Sequence, residues 1–252
     1  MNKMSLKSLL VIWRDKETRL YFHIGNLSYD ENKYFFEYTH QSKSIRKVHD
    51  AIKHGYRLHP AFVNLKQKYE SEKLFPAFDR RVPSIDRVDY TKILKDLKLP
   101  PEADRMDILR KTRGIISGDP YFFEEPLCLN DNEKLTTHFY ISGMRYRQLP
   151  DDWGYIVNIG DQLLIEPEKD NKHDPFAIKL KTENDLWLGY VPGIYTQAIQ
   201  ALSERNINVI IKVEEKRPTY APQWWIRVSL EAVIDVDKEY VSELEGLVLY
   251  AS

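Results

Sequence analysis

A polar, turn-rich stretch at residues 125–135 divides the chain into two regions whose apolar residues are regularly spaced. It contains proline, asparagine and aspartate, and it lacks the β-branched and aromatic residues that favour strands. At 252 residues the chain is long enough for two modest domains, each with its own core. We therefore predict domains at residues 1–125 and 136–235, followed by a tail at 236–252.

The composition is that of an ordinary folded protein, with 42% hydrophobic and 30% charged residues. The formal net charge is -1, so any binding to nucleic acid must depend on a local basic patch. Cys128 is the single cysteine, which excludes an intramolecular disulfide or a multi-cysteine zinc site and indicates a reducing, cytoplasmic location. The sequence also predicts no signal peptide and no membrane span.

The first domain is predicted to begin with an antiparallel meander of short β-branched and aromatic runs. These runs are at 8–13, 20–24 and 33–38. Residues 40–73 are charged and partly helical in pattern, and they contain Gly55 and Pro60, which predicts a loop-rich connection. Helices are expected at 90–97, ending before Pro100, and at 103–111.

The second domain is predicted to be a β-barrel-like arrangement with one inserted helix. Its expected strands are 139–144, 162–166, 177–181, 186–190, 208–215 and 225–233. The helix is expected at 195–202, shortly after Pro192. A short acidic helix is expected at 237–247. The fold class is therefore α+β: a small β-meander with helices, followed by a β-barrel.

Polar residues at 170–176 form a predicted turn that leads into a strand, with side chains at the strand mouth. From these residues alone, a well-made turn is the simpler interpretation, because Asn and Asp often bond to their own backbone in such places. Gly189 is equally well explained by crowding in a bend, and Tyr190 by burial in the core.

Four ordered motifs within residues 137–233 nevertheless resemble those of HIRAN domains. They are Ile141-Ser-Gly-Met-Arg-Tyr146, Gly160-Asp-Gln-Leu-Leu-Ile-Glu-Pro-Glu168, Asp170-Asn-Lys-His-Asp-Pro-Phe-Ala-Ile178 and Leu188-Gly-Tyr-Val-Pro192. The resemblance implies an OB-like β-barrel whose groove binds the 3′ end of single-stranded DNA and performs no catalysis.

The resemblance also implies roles for single residues. Arg145 and Tyr146 are expected to face the DNA backbone and a base, and Tyr190 to stack or to contact phosphate. The residues expected around the terminal sugar and its 3′-hydroxyl are Asp170, Asn171, His173 and Asp174. A carboxylate with an amide can distinguish a free end because a hydroxyl both donates and accepts. Aromatic stacking adds about 1–3 kcal/mol per base without reading sequence.

Two tryptophans precede the last predicted strand, and we expect one in the core and assign Trp224 to a wall of the groove. The family pattern differs at Asp170, Phe176 and Gly193, and the negative charge of Asp170 is expected to weaken contact with phosphates. Basic residues that either compensate or form an ordinary solvated surface are Lys169, Lys172, Arg147, Lys212, Lys216 and Arg217.

The first domain, from residue 7 to about 125, resembles the N-terminal subdomain of HipA-type kinases. The resemblance is carried by residues 12–13, 23–27, 34–38, 74–83 and 106–114. Taken singly these are core or turn residues; Phe75 and Phe78, for example, have helical spacing and are expected to be buried. The resemblance implies that this domain binds a protein partner, such as a HipA-like kinase.

Catalytic motifs are weak. The chain has no Gly-rich phosphate loop, kinase catalytic loop or metal-binding Asp motif. Pro150-Asp151 and Glu214-Glu-Lys216 imitate the two halves of a nuclease site but lie far apart in the sequence. Acidic residues at Glu166, Glu168, Asp170 and Asp174 are another possible metal cluster, although acids at a turn are more often only hydrated. We predict no turnover, no metal and no cofactor.

Two functional hypotheses follow. The first is a non-enzymatic protein that recognises 3′ ends of single-stranded DNA, within a bacterial phage-defence or toxin–antitoxin system. The second is an antitoxin or adaptor that binds a HipA-like kinase and uses the HIRAN fold as a protein-binding surface.

Overall fold

The two units of the chain are each built around one sheet. The computed structural model describes residues 7–30, 32–42, 44–130, 133–235 and 248–250. The first unit ends at Pro126 and the second begins at Leu127. The helix expected at 237–247 lies outside the described residues. Within the described part of the chain, no helix is long and apolar enough to cross a membrane.

The sheet of the first unit is antiparallel throughout and confirms the predicted meander. Its strands are β1 (Lys7–Arg14), β2 (Tyr21–Asp30), β3 (Lys33–Tyr38), β4 (Tyr69–Ser71) and β5 (Tyr121–Glu124). They lie in the order β4-β3-β2-β1-β5. One face carries an aromatic core in which the ring centroids of Phe36 and Phe62 are 4.2 Å apart. Phe75 and Phe78 are buried in this core, as predicted.

Helices cover the same sheet. They are α1 (Val48–Lys53), α2 (Pro76–Asp79), α3 (Tyr90–Asp96) and α4 (Arg105–Thr112). The predicted positions of α3 and α4 are confirmed. The stretch at 40–73, expected to be partly helical and loop-rich, contains α1 and also the strand β4, which was not predicted. Helix α4 begins with a capping box, in which Asp104 Oδ1 accepts from Asp107 N at 3.0 Å and Asp107 Oδ2 accepts from Asp104 N at 3.1 Å.

The second unit has a longer sheet. Its strands are β6 (Leu127–Leu129), β7 (Lys134–Tyr140), β8 (Gln162–Pro167), β9 (Ile178–Lys181), β10 (Trp187–Tyr190), β11 (Val209–Lys216), β12 (Ile226–Val233) and β13 (Val248–Tyr250). They lie in the order β10-β9-β8-β11-β12-β7-β6-β13. All pairs are antiparallel except β13 with β6. Helices α5 (Trp153–Ile156) and α6 (Thr196–Glu204) complete the unit, and the predicted α6 is confirmed.

The start of the second unit differs from the sequence expectation. Strand β6 lies inside the stretch interpreted as a break, because buried Leu127 and Leu129 belong to the core of the unit and pairing with β7 supplies the backbone hydrogen bonds. Strand β7 begins at Lys134 and ends at Tyr140, earlier than the predicted 139–144. It ends there because Gly143, with φ 75°, turns the chain into a short 3₁₀ helix.

The sheet of the second unit curls until its first and sixth strands meet. Ser142, just after β7, forms an isolated antiparallel bridge with Tyr190 of β10. Each backbone N–H of this pair donates to the other carbonyl at 2.8 Å. Gly189 permits the approach, because a Cβ at this position would lie 2.4 Å from the carbonyl oxygen of Ser142. Helix α6 packs against β11, and Tyr195, next to it in sequence, stacks on Phe139 at 5.2 Å.

Candidate nucleic-acid interface

Two short 3₁₀ helices and strand β10 of the second unit meet beside the bridge between Ser142 and Tyr190, which we call the seam. The first is the 3₁₀ helix η1 (Met144–Tyr146), which follows the turn at Gly143. It lies against β10 and against a second 3₁₀ helix, η2 (Pro222–Trp224). The fold therefore brings together residues from motifs that are well separated in the sequence.

Arg145 and Tyr146 form an exposed pair on η1. Met144 is buried and anchors the segment, while Tyr146 is 62% exposed. The guanidinium carbon of Arg145 lies 4.4 Å from the centre of the Tyr146 ring, and Arg145 also donates to the Tyr146 hydroxyl. One face of a preorganised aromatic ring with an adjacent positive charge is a suitable platform for a base next to a phosphate.

The polar turn at 170–176 is held by its own side chains. Asn171 Oδ1 accepts from the backbone N–H of His173 and of Asp174, both at 2.9 Å. Asp174 Oδ1 accepts from the backbone N–H of Phe176 at 2.9 Å. Asp170 and His173 are exposed. The interpretation of this stretch as a well-made turn is therefore confirmed for Asn171 and Asp174, whose oxygens support the backbone.

Glu168 joins this turn to β10. Its Oε2 accepts from the Tyr190 hydroxyl at 2.8 Å and from Asn171 Nδ2 at 2.5 Å, and its Oε1 pairs with Lys179 Nζ at 2.8 Å. Partial burial alone raises its pKa, but the hydrogen bonds from Lys179, Asn171 and Tyr190 lower the pKa of Glu168 to about 2. Burial and the bond to Glu168 raise the pKa of Tyr190 to about 12. At neutral pH the pair is a carboxylate and a neutral phenol.

Arg147 and Trp187 extend the site on the other side of Tyr190. The Arg147 guanidinium carbon lies 4.0 Å from the centre of the Trp187 ring and 5.5 Å from that of Tyr190. Lys179 Nζ lies 4.7 Å from the Trp187 ring centre, and the indole N–H donates to the Gly189 carbonyl at 3.0 Å. Among the described residues, the buried Arg147 Nε has no hydrogen-bond partner.

Neither tryptophan before β12 is fully buried, so the expectation that one of them lies in the core is wrong. Trp224 is part of η2, next to η1, and meets Tyr140 edge to face at 4.9 Å. Trp225 packs against Trp153 at 5.2 Å. The position of Trp224 beside η1 is compatible with its assignment to a wall of the groove, which stays a prediction.

Several basic residues that were candidates for DNA contacts are engaged within the protein. Lys216 Nζ donates to the carbonyls of Gly154 and Val157, at the end of α5. Arg217 pairs with Glu215 at 2.6 Å. Lys169, Lys172 and Lys212 are exposed. Of the basic candidates, Arg147 is the one placed against the rings of the site.

Residues of the alternative enzymatic sites form ion pairs and hydrogen bonds within the protein. Glu214 forms an ion pair with Arg227, Glu215 pairs with Arg217, and Lys216 is bonded to backbone carbonyls. Glu166 and Glu168 each pair with a lysine of β9. Over the residues that the structure describes, no group of three or more His, Cys, Asp or Glu side chains is arranged to hold a metal ion.

The sequence motifs predicted Asn171 and Tyr190 as site residues but did not predict Glu168 as their common partner. They also did not predict Lys179 and Trp187 as part of the site. A signal for Lys179 was present. Lys179 and Lys181 alternate with buried Ile178 and Leu180 along β9, and Glu166 stands opposite Lys179 in the register of β8 with β9. Side chains with this two-residue period share one face of a sheet.

These features define the second unit as a small curled-sheet module with an aromatic and basic surface beside its seam. Residues 134–237 match the family model of the HIRAN domain, which confirms the domain predicted for this part of the chain.

The chain is also similar, at low sequence identity, to two solved structures. A crystal structure of a protein from Lactobacillus plantarum is 18% identical, with 39% of this chain and 96% of that chain covered and a TM-score of 0.34. The HIRAN domain of human HLTF is 17% identical, with 39% and 72% covered and a TM-score of 0.29. The comparison with curated proteins gives no match.

Proposed function

We propose that the second unit binds the 3′ end of single-stranded DNA and that the protein catalyses no reaction on it. The observation that carries this proposal is the match of residues 134–237 to the HIRAN domain, a known DNA-binding module. The OB-like character of the curled sheet is part of the same proposal. It is supported by the bridge that joins β10 to the end of β7.

The proposed contacts begin at η1. Tyr146 offers an exposed ring for stacking by a base, and Arg145 lies over that ring with its charge available to a neighbouring phosphate. Arg147 is a second phosphate contact, because its guanidinium is held against two rings and loses little freedom on binding. Trp224 of η2 supplies a wall beside the first base.

The terminus is proposed to lie near Tyr190 and the turn that begins at Asp170. Tyr190 is partly exposed, and its hydroxyl is fixed by Glu168. Asp170 and His173 are exposed and approach a ligand from solvent, while Asn171 and Asp174 support the turn beneath them. Asp170 carries negative charge beside this site, so we expect an affinity that is modest and depends on aromatic contacts.

The test is the affinity for strands with and without ends. Fluorescence anisotropy competition would compare linear and circular single strands of one sequence. We expect the linear strand to bind several-fold more tightly, since only it supplies a terminus. Equal affinities would contradict end recognition, and no binding at low salt would contradict the DNA role. Tyr146→Ala is expected to weaken binding to both strands, whereas Lys16→Ala, on the first unit, is the control that leaves both affinities unchanged.

A second candidate function is that of an antitoxin or adaptor for a HipA-like kinase. The near-neutral charge of the whole chain favours it, as does the pairing of Lys179 and Lys181 with glutamates, which neutralises the positive charge along β9. Copurification of a stable kinase partner, with no DNA affinity at low salt, would favour this candidate. A setting in phage defence or in a toxin–antitoxin system, and a cytoplasmic location in keeping with the single cysteine, belong to the proposals.

A further inference from the structure

We infer that Glu168 is a positioning residue that makes the Tyr190 hydroxyl a hydrogen-bond acceptor, so that the site selects a 3′ terminus able to donate a hydrogen bond. This inference rests on the proposed function and deepens it by naming the groups that read the terminus. The group that distinguishes one 3′ terminus from another is then the Tyr190 hydroxyl of β10, held by Glu168. The resemblance instead places this role in the turn at 170–174.

The direction of one hydrogen bond carries the inference. A phenol has a single proton, and Tyr190 lies 2.8 Å from Glu168 Oε2. The low pKa of Glu168 means that its carboxylate has no proton to return. Tyr190 therefore donates to Glu168, and its own oxygen is left to accept.

The second acceptor position on Tyr190 is open to a ligand. Asn171 Nδ2 approaches the Tyr190 oxygen at 3.4 Å, which is a long contact. A phenolic oxygen that donates its proton can also accept a hydrogen bond, and the long contact with Asn171 leaves this acceptor available to a group arriving from solvent. A free 3′-hydroxyl can donate to it. A deoxy end, a methylated 3′-oxygen and an internal phosphodiester have no proton to offer.

Asn171 and Lys179 hold Glu168 in place. Asn171 uses its Oδ1 for the backbone N–H groups of His173 and Asp174 and its Nδ2 for Glu168. Its hydrogen-bonding groups are thus largely engaged within the protein. Lys179 bonds Glu168 Oε1 at 2.8 Å and lies over the Trp187 ring. Both residues orient the Glu168 carboxylate, whereas the ligand itself contacts Tyr190.

Glu166 provides a matched control. It lies on β8, two residues before Glu168, which directly follows that strand. It also pairs with lysines of β9: Lys181 at 2.6 Å and Lys179 at 3.8 Å. In the described part of the chain its ion-pair partners are these two lysines, and the Tyr190 hydroxyl is bonded to Glu168 instead. Glu166→Gln thus removes an equivalent charge from the same sheet and leaves the bond to Tyr190 intact.

The experiment measures dissociation constants by anisotropy for linear strands of one sequence, ended by a 3′-hydroxyl, a 2′,3′-dideoxy sugar or a 3′-O-methyl group. The full-length wild-type protein is expected to bind the hydroxyl end about 5- to 10-fold more tightly than the other two, a ratio that one net hydrogen bond supports. In Tyr190→Phe and in Glu168→Gln the ratio is expected to fall below about twofold. The glutamine amide can donate to Tyr190 and so removes the fixed direction of the bond.

A ratio is the deciding quantity, because a structural defect lowers affinity for every end alike. Retention of the wild-type ratio in either Tyr190→Phe or Glu168→Gln overturns the inference, as does its loss in Glu166→Gln. If the wild type prefers linear over circular strands but binds hydroxyl and dideoxy ends equally, this inference fails and the proposed function stands. If it binds linear and circular strands equally, the proposed function fails as well.

Discussion

Arg147 places its guanidinium against two aromatic rings, whereas Arg217 and Arg227 of the same unit form ion pairs with glutamates. Packing on a ring leaves the charge of an arginine available to an anion, while an ion pair largely neutralises it. The value of a basic residue for DNA binding therefore depends on its neighbours and not only on its charge.

We predict that Arg147→Gln weakens binding to every single strand, whatever its end, because a phosphate contact is lost. The slope of log K against log salt concentration should decrease in magnitude by about 0.7, the contribution of one phosphate in a single strand. Titrations at several salt concentrations check this. Arg217→Gln is the control and should leave the slope unchanged; an unaltered slope in Arg147→Gln would show that this residue contacts no phosphate.

Gly189 is the residue on which closure of the sheet depends. An added Cβ would lie 2.4 Å from Ser142 O, and the backbone has φ 159°. Gly189→Ala is expected to lower the free energy of unfolding by about 1–3 kcal/mol through this clash. Urea denaturation followed by tryptophan fluorescence measures the change.

Gly160→Ala is the control that distinguishes the effect of a steric clash at Gly189 from that of backbone strain. Gly160 also has a positive φ, 93°, but a Cβ there would meet nothing within 4 Å. Its unfolding free energy should fall less than that of Gly189→Ala. An equal loss in both variants would mean that backbone strain alone accounts for the effect.

Among the elements, the junction of β2 with α1 carries a buried lysine. Lys47, at the start of α1, lies 2.8 Å from His23 Nδ1 on β2, and His23 Nε2 lies 2.8 Å from Asn26 Oδ1. Burial lowers the pKa of Lys47 from 10.5 to about 7. Burial, with the charge of Lys47, also lowers the pKa of His23.

This junction predicts a pH dependence of stability. Between pH 7 and pH 10.5 the unfolded chain binds more protons at Lys47 than the folded chain, so this lysine makes the free energy of unfolding rise with pH. Lys47→Met should therefore become progressively less stable relative to wild type as pH increases across that window. Urea midpoints at pH 7, 8.5 and 10 test this, and a constant difference between the two proteins would exclude the titration of Lys47.

Elements with a strong local pattern were predictable from the sequence, and the short ones were not. The strands β1, β3 and β8 and the helices α3, α4 and α6 lie where period and turn residues indicate. Strand β6 is only three residues long and is defined by its pairing with β7, while helix α1 is short and packs against β2, which lies well before it in the sequence. Motifs likewise located Tyr190, but the bond to Glu168 depends on which side chains the fold brings together.

For the molecule as a whole, the division between Pro126 and Leu127 predicts which fragment retains DNA binding. Leu127 and Leu129 are buried in the second unit, and β6 pairs with β7. A fragment of residues 127–252 should therefore bind DNA ends as tightly as the full chain. A fragment that begins at 136 should lose β6 and the first residues of β7, and it should unfold at lower urea concentration.

Two results from these fragments would contradict the prediction. Weaker binding by residues 127–252 than by the full chain would show that the first unit contributes to DNA recognition. Equal stability of the two fragments, measured by the same urea titration, would show that β6 adds nothing to the fold. The first result would contradict the assignment of DNA binding to the second unit alone, and the second would contradict the contribution of β6 to the stability of that unit.

Tyr190 has two roles in one residue, since its backbone closes the curled sheet against Ser142 and its side chain faces the proposed ligand. A ligand that restrains the Tyr190 side chain therefore also restrains the backbone bridge from Tyr190 to Ser142. Under the proposed function, a bound DNA end therefore also stabilises the single bridge between Ser142 and Tyr190, and part of the free energy of binding is expected to appear as resistance of this bridge to local opening.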